Sequence, residues 1–183
     1  MAVENEVKIC MDSFDGIRDA LIEINAKHMS TVDEKNVLFD NNAGDLKAED
    51  VGLRLRCETD CVSGSIKSVL LTVKGPKMGG ATKMRQEFEA YVSDFKRAKD
   101  MLNALGFKQA LVYEKVRERW AVSGTGVCLD TLPFGSYVEI EGKEKYIVGV
   151  AKKLGFGKDD FITSNYFDLA KEKGVRGDIV FRS

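Results

Sequence analysis

From Val3 to Ile9 the chain reads Val-Glu-Asn-Glu-Val-Lys-Ile, so an extended strand would place Glu4, Glu6 and Lys8 on one face and Val3, Val7 and Ile9 on the other. Any half-buried strand can look like this. The pattern becomes a constraint because it recurs. Arg54 and Arg56 alternate with Leu53 and Leu55, Thr72 and Lys74 with Leu71 and Val73, and Glu87 and Glu89 flank Phe88. Lys115 and Arg117 flank Val116, and Glu139 and Glu141 flank Ile140. Solvated strand faces usually mix Ser, Thr and Gln with charge, whereas these faces carry almost only ionic side chains.

Together with Asp130 these positions hold seven acids and six bases. A balanced set can share a confined, wet interior, because each carboxylate can find a cation or a metal. The pattern therefore predicts an α+β fold on a closed antiparallel β-barrel, charged inside, apolar outside and flanked by helices. The plainer alternative is an α+β domain whose sheet turns a charged face to solvent.

At 183 residues the chain is expected to form a single domain, 1–183. Its formal net charge of -1 argues against a nucleic-acid partner, whose footprint would be a basic excess. The four cysteines, Cys10, Cys57, Cys61 and Cys128, form no CxxC pair and suit reduced thiols; Cys57 and Cys61 leave a redox or metal pair open. The single histidine, His28, excludes a His-rich metal site and a Ser-His-Asp triad. No apolar run of about 18 residues and no signal-peptide-like start is present, which predicts a cytoplasmic protein with no membrane partner.

The expected elements run in order. A helix capped by Asp12-Ser13 extends to about His28, which sits in its last turn, and a short strand covers Asn36–Asp40. Val51–Cys57 and Ile66–Gly75 form a hairpin, and the loop from Pro76 to Lys83 is either a segment that closes over a ligand or a surface connection. Met84–Val92 is a strand, Ser93-Asp94 caps a helix stopped by Gly106, and Leu111–Val122 and Gly126–Leu129 make a second hairpin with Trp120 on its outer face. Tyr137–Gly142 is the last strand, helices follow at about 143–154 and 164–174, and the tail 175–183 is an edge strand or frays. Neither a P-loop nor a Rossmann glycine fingerprint occurs, so a phosphate site would be made of side chains.

Clustered Arg and Lys make an anion clamp, and carboxylates with no histidine or thiol among them select hard cations such as Mg²⁺ or Mn²⁺. A guest suited to both is a metal-bridged polyphosphate. Attack by a ribose 3′-hydroxyl on the α-phosphorus of ATP gives cyclic AMP and pyrophosphate; attack by water on the terminal phosphorus makes a phosphohydrolase.

Glu4-x-Glu6-x-Lys8 resembles the ExExK signature of the CYTH family, the triphosphate tunnel metalloenzymes. Leu53-Arg54-Leu55-Arg56, Leu71 to Pro76, Glu87-Phe88-Glu89, Lys115-Val116-Arg117, Asp130 and Tyr137 to Glu141 follow in that family's order. The resemblance implies an eight-stranded antiparallel tunnel, Mg²⁺ or Mn²⁺ dependence and a triphosphate-bearing small molecule as substrate. Lys74-Gly75-Pro76, Leu105-Gly106-Phe107 and the Glu-Ile-Glu strand are most similar to class IV adenylyl cyclases and their relatives. By that resemblance Glu4, Glu6 and Glu141 hold metal with Glu139 and Asp130 assisting, Lys8, Arg54, Arg56, Lys115 and Arg117 bind phosphates, and Lys74 lies by the phosphates or the base. Glu87 and Glu89 complete the substrate-binding set, Lys8, Lys115, Arg117 and Asp130 form the catalytic set, and a homodimer is implied. Relatives with the same lining hydrolyse inorganic or thiamine triphosphate, so cyclase and triphosphatase both stand as expectations, beside a non-catalytic polyphosphate-binding module.

Overall fold

The computed structural model describes residues 2–78 and 83–182, and the side chains of residues 5–78 and 85–182. The Glu4 side chain and residues 79–82 fall outside the described residues; the ends of the expected Pro76 to Lys83 loop are not loop, since the strand Ile66–Met78 takes in Pro76 and the next strand opens at Lys83. Within them the chain forms an α+β fold: one eight-stranded antiparallel sheet with five α-helices. The strands are β1 (Ala2–Met11), β2 (Lys27–Asp40), β3 (Gly52–Asp60), β4 (Ile66–Met78), β5 (Lys83–Tyr91), β6 (Lys108–Val122), β7 (Thr125–Leu132) and β8 (Gly135–Glu141). The helices are α1 (Ile17–Glu23), α2 (Asp45–Ala48), α3 (Phe95–Ala104), α4 (Glu144–Lys153) and α5 (Tyr166–Glu172).

The strand order is β1-β5-β4-β3-β2-β6-β7-β8, and β1 is shared by both ends of it. Its first half, Ala2 to Glu6, pairs with β5, and its second half, Glu6 to Met11, pairs with β8. Glu6 alone lies in both ladders; beyond it Lys8 pairs with Ile162 instead. The Ser123-Gly124 hairpin joining β6 to β7 has both φ values positive, 51° and 71°, the turn whose twist matches that of its flanking strands.

The apolar faces point outward into helix-covered clusters. Val7, Ile9, Trp120, Val127, Leu129, Val138 and Ile140 pack with Ile17 and Leu21 of α1 and Ile147, Val150 and Ala151 of α4. Val37, Phe39, Leu53, Leu55, Val69 and Val112 pack with Leu102 of α3. Asp94 caps α3 as expected, accepting from Arg97 N at 2.8 Å.

Four expectations are corrected. The first helix is only seven residues long, because Asn25 takes a left-handed φ of 60° and Ala26 N closes back on Leu21 O at 2.8 Å. Ser13 does not cap it; Gly16 is the N-cap, and the Ser13 hydroxyl accepts from Asp15 N within a local turn. His28 is consequently not in a helix. It sits on β2, hydrogen-bonded to Thr31 Oγ1 at 3.1 Å and edge-on to Trp120 at 5.2 Å. β2 begins nine residues before the expected Asn36, with consequences for the site. The tail forms a single bridge from Ile179 to Tyr113, and Ile179 is buried.

Candidate active site

The opposite faces of the strands line one cavity of ≈ 1820 Å³. Glu6 and Lys8 of β1, Arg54 and Arg56 of β3, Lys74 of β4, Glu87 and Glu89 of β5, Lys115 and Arg117 of β6 and Glu139 and Glu141 of β8 all lie on its wall. Of the sequence-predicted set, Asp130 lies just behind that wall, fully buried. Glu6, Lys8, Arg54, Arg56, Lys115, Arg117 and Glu139 are buried, while the Glu89 side chain is 43% exposed at the rim.

Three ionic centres organise the lining. Asp130 accepts from Lys115 Nζ at 2.9 Å, from Arg117 Nε at 2.7 Å and Nη2 at 2.6 Å, and from the Tyr166 hydroxyl at 2.7 Å. Burial disfavours the Arg117 cation, but Asp130 together with Cys128, Glu139 and Glu34 outweighs that and holds it firmly charged. Lys8 forms the second centre, 2.6 Å from Glu6 and 3.2 Å from Glu139. Burial alone would lower its pKa, yet Glu139 and Glu6 raise it.

Glu34 is the third centre. It is 99% removed from solvent and has Arg119, Arg56, Lys115 and Arg117 within 2.6, 3.2, 3.6 and 3.8 Å. Burial pushes its carboxyl up, but these four cations prevail and hold it below the usual carboxylate range. Across the cavity, Arg54 reaches Thr72 Oγ1 at 3.2 Å and lies 3.7 Å from both Glu87 and Glu89, and Lys74 lies 3.4 Å from Glu87.

Several of these groups escape the sequence reading. Glu34 and Asn36 are hidden because Asp33-Glu34-Lys35 is a solid polar run that masks the alternation. Arg119 had a usable signal, since it continues the Lys115–Arg117 row on the same face. Tyr166 reads only as an apolar helix residue. Yet α5 lays its ring 5.1 Å from Lys8 Nζ and 5.2 Å from Lys115 Nζ, with the hydroxyl on Asp130 and 3.2 Å from Glu139. Burial and the adjacent Asp130 and Glu139 carboxylates keep that phenol protonated, as a donor. Leu38, Leu111 and Phe167 add an apolar shelf to the same cavity beside Tyr113.

Two buried donors of the lining, Arg54 Nε and Arg85 Nε, have no hydrogen-bond partner among the described residues. Buried donors ordinarily find acceptors, so these two mark places for ligand oxygens. For a cation, Glu6 faces Glu141 directly across the β1–β8 ladder and Glu139 is the next inward residue on β8. These are hard oxygen donors of the kind Mg²⁺ and Mn²⁺ take, and no histidine lines the cavity. Among the described residues no group of three or more His, Cys, Asp or Glu is already gathered as a metal centre. Gly126, opposite Glu141 on β7, makes room for that carboxylate: a Cβ there would meet Glu141 Cγ and Oε1 at 2.8 Å.

An antiparallel sheet that turns its apolar face out to helices and an ionic face onto one large cavity defines a class of small α+β proteins with a cation-lined interior. The chain belongs to the CYTH family, whose domain model matches residues 2–154. A Methanocaldococcus jannaschii protein provisionally named an adenylate cyclase is 24% identical over 178 residues, covering 91% of this chain and 98% of its own. The structure of a Pyrococcus horikoshii protein is similar at 29% identity with a TM-score of 0.74, covering 93% of this chain and 99% of that one. A Hippeastrum protein, provisionally named an adenylyl cyclase and described as having a dominant triphosphatase activity, shares the fold at 21% identity and a TM-score of 0.64, with 94% and 96% coverage.

Proposed function

We propose that the chain is a divalent-metal-dependent enzyme that takes a triphosphate into a tunnel closed around β1, and that its reaction is the class IV-type adenylyl cyclase conversion of ATP to cyclic AMP and pyrophosphate. The observation that carries this reading is the wall of buried cations, Arg54, Arg56, Arg85, Lys115 and Arg117, on which Arg54 Nε and Arg85 Nε lack protein acceptors. Guanidinium forks in a confined cavity match the equatorial oxygens of a phosphate chain. The shelf of Leu38, Leu111 and Phe167 suits a purine ring better than it suits inorganic triphosphate.

In this reading Arg54, Arg56 and Lys74 hold the phosphate chain, and Lys8, Lys115 and Arg117 stabilise charge that grows on the departing pyrophosphate. Asp130 keeps Lys115 and Arg117 aimed, and Glu87 and Glu89 orient Arg54 and Lys74. The ribose 3′-oxygen forms its bond to the α-phosphorus as the bond to the β-phosphate oxygen breaks, and the hydroxyl proton leaves to solvent. Glu4, Glu6 and Glu141, with Glu139 assisting, would hold Mg²⁺ or Mn²⁺, which would supply positive charge to the phosphate oxygens when bound; Asp130, already accepting four hydrogen bonds behind the wall, does not fit that set.

Hydrolysis of the triphosphate is the second reading, favoured by the triphosphatase activity described for the Hippeastrum relative. Incubation with ATP and Mn²⁺ followed by phosphorus NMR separates them. Pyrophosphate with cyclic AMP supports the cyclase, and orthophosphate supports the phosphohydrolase. Tight, metal-dependent tripolyphosphate binding in calorimetry without turnover of any triphosphate would leave only a binding module.

A further inference from the structure

Asp130 and Glu34 are both buried acids beneath the same cations, yet they are built differently. Asp130 is saturated: four hydrogen bonds from Lys115, Arg117 and Tyr166 fix it. Glu34 is not. Its Oε1 accepts one short hydrogen bond, from Arg119 at 2.6 Å, and lies 3.2 Å from Arg56 Nη1 and 3.8 Å from Arg117 Nε. Its Oε2 is 3.6 Å from Lys115 Nζ and accepts no hydrogen bond among the described residues. Glu34 thus stands among four cations and hydrogen-bonds only Arg119, which, like Arg56, it shares with Glu58.

We propose that Glu34 is a positioning residue, a built-in counter-anion that holds Arg56, Lys115, Arg117 and Arg119 at a common focus before substrate arrives. This rests on the triphosphate reading above. An incoming phosphate chain shares those cations with Glu34, and the carboxylate cannot withdraw to solvent because it is only 1% exposed. Glu34 therefore opposes ground-state binding while keeping the cations where charge develops during reaction. A side chain of this kind raises KM and kcat together.

The test uses the full chain and inorganic tripolyphosphate as probe in calorimetry, with steady-state kinetics on ATP and Mn²⁺ alongside. Glu34→Gln is expected to bind tripolyphosphate about 10- to 100-fold more tightly, the order that one like charge several ångströms away is worth in a partly screened interior. Its KM and kcat should fall together, and Glu34→Asp, which restores the charge, should return the affinity to within a few-fold of wild type. Equal or weaker binding by a folded Glu34→Gln variant, with wild-type binding intact, overturns this inference alone. Absence of tripolyphosphate binding by the wild-type protein overturns the triphosphate reading and this inference with it.

Should Glu34→Gln not fold, the comparison moves to Arg119→Gln and the charge-balanced pair Glu34→Gln/Arg119→Gln. If Glu34 opposes binding, the pair binds tripolyphosphate at least tenfold more tightly than Arg119→Gln alone. Equal affinities for these two variants overturn it.

Discussion

Replacing Asp130 by Asn tests whether the ionic interior is held together as described. The change is nearly isosteric, so it removes charge without leaving a cavity. Lys115 and Arg117 then lose their shared acid while both remain buried, at 2% and 6% exposure. The amide can accept through one oxygen only, and its NH2 group faces donors, Arg117 Nε in one orientation and Lys115 Nζ, Arg117 Nη2 and the Tyr166 hydroxyl in the other. Removing one partner of a buried ionic group typically costs about 3–5 kcal/mol. For a domain of this size that corresponds to a fall in Tm of roughly 6–20 °C. Differential scanning calorimetry without ligand reads it directly.

A second step isolates the cause. If uncompensated charge is responsible, removing an opposing cation must relieve it, so Arg117→Gln/Asp130→Asn should be more stable than the sum of the single losses by about 1–3 kcal/mol. Additive losses, or an Asp130→Asn protein that melts within about 3 °C of wild type, would refute the account of Asp130 as the anchor of Lys115 and Arg117.

Three other outcomes are expected. Arg117→Ala should weaken tripolyphosphate binding by about 2–5 kcal/mol in calorimetry, since it truncates one partner of a buried charge pair; unchanged affinity would move the phosphate site elsewhere. Gly126→Ala should displace the Glu141 carboxylate, which its Cβ would meet at 2.8 Å, and so lower Mn²⁺-dependent turnover more than tenfold at raised metal demand while shifting Tm by only a few degrees; wild-type metal dependence would show Glu141 to be no ligand. For Tyr113, burial raises the phenol pKa, but Arg54, Arg56 and Lys115 prevail over it and over Glu34 and bring it down to about 8. Because the folded value lies below the unfolded value of about 10, its contribution to stability is present above pH 10 and is lost as pH falls toward 8. Absorbance at 295 nm should show a step near pH 8 that Tyr113→Phe removes and tripolyphosphate moves upward; a first step at pH 10 would contradict it.

The inward rows were legible wherever charge and apolar residues alternate cleanly, as in Glu6-Val7-Lys8, Leu53 to Arg56 and Glu139 to Glu141. Two-residue periodicity fixes the face of every residue once one face is known. Glu34 was illegible for the same reason: Asp33 and Lys35 on the outer face are as polar as Glu34 and Asn36 on the inner one, so no periodicity marks the start of β2. The first helix was overestimated because Ile17, Ala20, Leu21 and Ile24 continue a helical stripe up to a boundary that Asn25 sets by its backbone. Tyr166 depends on contacts 36 and 27 residues distant in sequence, to Asp130 and Glu139, and no local pattern encodes these.

The inversion of the sheet accounts for how so charged an interior is tolerated. Hydrophobic burial is supplied outside the strands, where α1 and α4 cover one set of apolar faces and α3 another. The interior therefore does not have to drive folding; its acids and bases need only avoid penalising it. Asp130 meets that condition through four hydrogen bonds, and Lys8 through two carboxylates. Arg54 Nε and Arg85 Nε do not meet it within the described protein, and Asn36 and Glu34 behind the wall meet it only in part. The unmet donors on the cavity wall, Arg54 Nε of β3 and Arg85 Nε of β5, are both guanidinium groups, so the demand there is for an anion. If a polyanion is what satisfies it, tripolyphosphate should raise the Tm of the wild-type chain by an increment that grows with RT ln(1 + [L]/Kd) and shrinks at high salt. A melting temperature indifferent to tripolyphosphate up to millimolar concentration would mean that those donors serve no phosphate.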